Sequence, residues 1–187
     1  MVVTGEMWLH EVLDLYKSRI HIHQLHLEDP RQLPLEAVRH LLDATPVADL
    51  SMYLEDDLVI QDPLYIDKQA WFHQRTDHRF VLMPHRYEPT IANSPKRFFV
   101  DGPIKEDGCS EEVWIDNEEV IAKGQFWDGQ DLSFARALNP HSGTFCISVF
   151  QVDQLRSRPW PPEEFVGPLE TAATGSVFGH FEILKPS

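Results

Sequence analysis

Apolar positions recur at helical spacing over residues 6–18 and again after Pro34, and from Leu50 the period changes. Trp8, Leu9, Val12, Leu13, Leu15 and Tyr16 share one helical face, with Thr4 placed as its cap. Arg19 to Leu27, with β-branched Ile20 and Ile22, predicts a strand that Asp29-Pro30 ends. Pro34 then fits a first helical position, followed by the apolar face Ala37, Val38, Leu41 and Leu42. After Leu50 the chain reads as short strands. Leu50–Leu54 and Leu58–Ile60 predict a hairpin around Glu55-Asp56-Asp57, and residues 112–115 and 119–126 another around Asp116-Asn117-Glu118. Further strands are expected at 79–83, 97–100, 144–152 and 176–184, with one or two helical turns over 131–138.

Two helices followed by many short strands place the chain in the α+β class. The expected form has the two N-terminal helices packed on a strongly bent antiparallel sheet or partly closed β-barrel. Residues 1–187 form one domain, with a helix-strand-helix part over 1–45 and a β-rich part over 46–187. Parallel βαβ units are not expected, because helix-length segments are missing between the later strands.

Composition narrows the reading. With 42% hydrophobic residues the chain can build a core, and its 14 prolines fall between the apolar runs. No apolar run approaches the ~18 residues of a membrane span and no charged-then-apolar leader is visible, so a soluble, cytoplasmic protein is expected. Cys146 lies in an apolar run and Cys109 in a Gly/Ser turn; both read as thiols, though a disulfide between them stays open.

The net charge of −14 argues against nucleic-acid and anionic-membrane partners. Its distribution is uneven. Residues 28–67 carry ten acids and two bases, residues 101–131 again ten and two, and residues 68–97 six bases and two acids. Folding either interleaves these blocks or leaves a basic pocket on an acidic body.

Three constellations carry chemistry. His21 and His23 alternate onto one face of a strand, where a His-x-His pair can hold a divalent transition metal. With Glu28 they resemble the first cupin motif over eight residues, which implies a metal site of His21, His23 and Glu28. The glycines bracketing that motif are absent, and no second cupin motif follows.

The second is the basic, His-rich stretch 71–87. If 67–77 is helical, His73 and Asp77 stand one turn apart, so the carboxylate orients the imidazole as a general base. Arg75, Arg79, His85, Arg86 and Tyr87 would then bind an anionic small molecule. Pro84-His85-Arg86-Tyr87 also resembles a tetrapeptide near the start of hotdog-fold acyl dehydratases; the long central helix of that fold has no room before the strands at 112–126.

The third is aromatic. Trp114, Trp127 and Trp160 sit in turn-rich stretches and are residues of the type that anchors protein interfaces. Calcium-loop spacing, nucleophile elbows and phosphate-cradling glycine loops are absent from the sequence. The chain therefore reads first as an acidic binding protein that docks on a partner protein, in the manner of inhibitors, immunity proteins or assembly factors. The second reading is a small enzyme or ligand-binding barrel using 71–87.

Overall fold

The structure is a computed structural model and describes residues 2–4, 10–16, 18–89, 97–100, 115–158 and 167–187. The N-terminal part holds β1 (Val2–Thr4), α1 (His10–Asp14), β2 (His23–Leu25) and a 3-10 turn (Pro30–Gln32) that runs into α2 (Leu33–Asp43). Next come β3 (Leu50–Leu54), α3 (Tyr65–Arg75), β4 (Phe80–Leu82), β5 (Tyr87–Pro89) and β6 (Arg97–Phe99). Then follow β7 (Ile115–Gln125), β8 (Asp131–Ala137), β9 (Thr144–Ser148), α4 (Val149–Arg156), a π-helical segment (Pro168–Gly175) and β10 (Glu182–Pro186). Helices and strands are thus mixed along the chain. No helix among the described residues is long and apolar enough to cross a membrane.

The largest sheet has the order β4-β10-β8-β7. β10 runs parallel to β4 (Ile183 opposite Val81) and antiparallel to β8, and β7 and β8 form an antiparallel hairpin. β3 pairs antiparallel with β9, β5 with β6, and β1 runs parallel to β2. Strand alternation splits the interior in two. Val81, Met83 and Ile183 face one core, closed by Leu35, Val38 and Leu42 of α2, Val152 and Leu155 of α4, and Ala172 and Ala173 of the π-helical segment. Leu82, Leu184 and Phe134 face the other, covered by Phe72 and Trp71 of α3.

Several expectations give way. The sheet is mixed, not antiparallel, because the last strand inserts between β4 and β8. No closed barrel forms among the described residues. Of the two N-terminal helices, α2 packs into the core as expected, whereas the first spans only His10–Asp14. Residues 58–60 form no strand, since β3 finds its partner in the wholly buried β9. β7 runs straight through Asp116-Asn117-Glu118 with register shifts, and the chain turns at 126–130 instead. Residues 131–137 are a strand, with Leu132 and Phe134 on one side and Ala137 on the other.

The run at 144–152 breaks at Ser148, whose hydroxyl accepts from the Gln151 amide while the Gln151 side chain accepts from the Ser148 amide. That reciprocal cap starts α4 where a continued strand is expected. Cys146 is a buried free thiol; Cys109 lies outside the described residues.

Candidate functional site

α3 carries the site. Asp62 holds its start, accepting from the Leu64 amide and, at 2.9 Å, from the Lys68 ammonium. The helix buries a polar row as well as an apolar one. Gln69 and His73 are each 1% exposed and face β4 and β9. Gln69 Nε2 donates to the Leu82 carbonyl, and His73 Nε2 lies 3.1 Å from the Cys146 carbonyl oxygen. A carbonyl only accepts, so the His73 proton sits on Nε2 and Nδ1 is a bare, buried acceptor. Nδ1 has no partner among the described residues, and neither do Tyr65 Oη and Gln69 Oε1.

Burial pushes the His73 pKa down to about 4 and the Cys146 thiol up to about 12. Both groups are therefore neutral at physiological pH. Burial thus disfavours a thiolate–imidazolium pair here, and the imidazole is held by the Cys146 backbone carbonyl.

The pairing of His73 with Asp77 is corrected. α3 stops at Arg75 and Thr76 caps it, so Asp77 lies past the helix and is exposed. The Asp77 amide donates to Gln74 O and the His78 amide to His73 O, the two bonds of a Schellman motif. Such a motif favours glycine at its left-handed position. Here Asp77 and His78 both stand at φ 55. Two successive L-residues in that region are strained, and strain of this kind collects at functional sites. Asp77→Gly is accordingly expected to stabilise the fold by about 0.5–1 kcal/mol in urea titration. An unchanged or lower midpoint would show the turn to be unstrained.

The anion-binding candidates of 71–87 are dispersed. Arg79 donates through Nε to Thr76 O and lies 5.3 Å from the Phe80 ring centroid. The Arg75 side chain lies over Gly124 of β7. His85 donates to the Pro186 carbonyl at 2.7 Å, Tyr87 donates to Gln61, and the Arg86 charge partly offsets the burial that raises the Glu55 pKa. The basic block thus meets the acidic one at Lys68–Asp62 and at Arg86–Glu55.

At the metal candidates, the His23 ring packs on His40, with centroids 3.9 Å apart at 69°. Glu28 is exposed, and the described residues hold no group of three or more His, Cys, Asp or Glu placed to share an ion. β2 is only three residues long, and its His23 meets the single imidazole of His40 from α2.

A cleft of about 550 Å³ opens at the strained turn, lined by Asp77, His78 and Arg79 and by Phe150, Gln154 and His180. Gln151 Nε2 fixes the turn against α4, donating to the carbonyls of His78 and Phe80. The His78 and Phe150 rings lie 4.6 Å apart, and Phe150 is 64% exposed. Sequence reasoning found Asp77 and Arg79 but missed Phe150 and His180. The signal for Phe150 was present: Ser148-x-x-Gln151 is a capping box, which puts Phe150 in the first turn of a helix.

Trp114 and Trp160 lie outside the described residues. Trp127 is 68% exposed at the tip of the β7–β8 hairpin. The tip is well held. Phe126 beneath it is 1% exposed, donates its amide to Gln130 O, and packs edge-on against Trp71. Gly129 takes φ 91, which a side chain would resist, and Asp128 accepts from the Gln130 amide. The turn around 127–131 is therefore a solvated, self-bonded one. No protein-family model, curated protein or solved structure matches the chain.

Proposed function

We propose that this chain is a non-catalytic, acidic cytosolic binding protein that docks on a partner protein through the face centred on Trp127. The observation that carries the reading is the presentation of that indole. A large aromatic held two-thirds exposed on a turn pinned from below loses little conformational freedom on binding, and its burial in a partner's pocket supplies hydrophobic free energy. Asp128 and Asp131 lie beside it, both exposed, and the body is strongly negative, so the matching surface is basic with an apolar pocket. The neutral, buried state of His73 and Cys146 supports a non-catalytic role for that pair.

Capture from host extract at low salt, followed by titration of the purified partner, tests this. One dominant partner is expected, with binding that weakens as salt rises and falls at least about tenfold in Trp127→Ala. The substitution removes an exposed side chain, so its unfolding curve should match the wild type within about 0.5 kcal/mol. Binding that ignores both salt and Trp127 would end the proposal.

A further inference from the structure

The cleft at the end of α3 shares no residue with the Trp127 face and has its own electrostatics. The chain has 30 acids against 16 bases, and several described arginines are engaged by carboxylates: Arg31 by Asp29, Arg39 by Glu36 and Asp43, Arg136 by Glu182, Arg156 by Asp153. Arg79 at the cleft has no carboxylate within ion-pair distance among the described residues, although Asp77 is two positions away and also lines the cleft. Arg158 is likewise without one, and its charge helps to depress the His180 pKa, after burial. The Nδ1 atoms of His78 and His180 are buried and lack a partner among the described residues. A guanidinium without a carboxylate partner among the described residues thus lines a concave wall beside two imidazole rings, with Phe150 and Phe181 supplying low-dielectric surface that strengthens the pull of Arg79 on an anion.

We propose that this cleft binds a small organic anion, with its carboxylate or phosphate on Arg79 and its carbon part against Phe150. Asp77 opposes that charge. Among the described residues it is the one acidic side chain lining the cleft, and it weakens anions that cannot offer it a hydrogen bond. The same residue holds the left-handed turn, a conformation asparagine adopts as readily, so Asp77→Asn removes the charge and keeps the cap.

Phenyl phosphate and benzoate serve as probes for the two headgroups, titrated calorimetrically against the whole chain at low salt. At least one should bind saturably at one site. Arg79→Ala should weaken it at least about tenfold, Phe150→Ala about threefold, and Asp77→Asn should tighten it about threefold. Arg79 also bonds Thr76, so its variant is checked by thermal unfolding, and the gain in Asp77→Asn reads the same site without removing a contact. Failure of both probes to saturate at about 10 mM, unchanged affinity in folded Arg79→Ala, or weaker binding in Asp77→Asn would each overturn the proposal.

Discussion

Acidification from pH 7 to pH 4 is expected to remove about 3 kcal/mol of stability through His73 alone. The folded chain holds this imidazole neutral down to about pH 4, whereas in the unfolded chain it takes a proton near 6.5. Between those values the unfolded state binds more protons. The contribution is therefore whole above pH 6.5 and is lost as the pH falls toward 4. His180, also depressed, adds to the loss, and the raised Glu55 pKa works against it. Asp29 and Asp62, held below the usual carboxylate range, act only at lower pH. His73→Gln isolates the effect, because Gln places an N–H near Nε2 and does not titrate. Urea unfolding at pH 7 and pH 4 should show the two proteins converging in acid as the wild type loses its extra stability. Parallel losses would refute the assignment of His73.

What the sequence disclosed and what it concealed follow from distance along the chain. α2 was legible because Pro34 and the Ala37-Val38-Leu41-Leu42 face are local signals, and α3 was legible from 67–77 within two residues at each end. The β10–β4 pairing was not, since it joins residues about a hundred positions apart, and nothing local announces a parallel partner. Asp131–Ala137 misled because its side chains serve both cores, which blurs the alternation. The candidate site divides the same way. Asp77 and Arg79 lie in the flagged stretch, but the cleft exists only once Phe150 and His180 arrive from distant elements. The one-turn spacing of His73 and Asp77 fails as a pairing because a helix end without glycine gives no sign that the chain turns left-handed at Asp77.

The packing beneath the Trp127 face gives the other large effect. Gly124 on β7 is covered by Trp71: a Cβ built there would stand 2.7 Å from Cζ2 and 2.9 Å from Cη2 of the indole. Those atoms belong to a rigid ring wedged against Phe126 and Phe134, so the ring cannot yield as a flexible side chain would. Gly124→Val is expected to cost about 3 kcal/mol, and Gly124→Ala somewhat less, by forcing Trp71 off its seat. The cause can be separated from a general strand preference. In a Trp71→Leu background the clash disappears, and the cost of Gly124→Ala should fall by about 1 kcal/mol or more in a double-mutant cycle. Additive costs would mean that the indole is not what excludes a side chain. Because Phe126 rests on Trp71 and supports Trp127, Gly124→Ala should also weaken partner binding while touching no exposed residue of the docking face. Loss of affinity in Gly124→Ala, with the exposed residues of the docking face unchanged, would tie the core under the hairpin to the aromatic it presents.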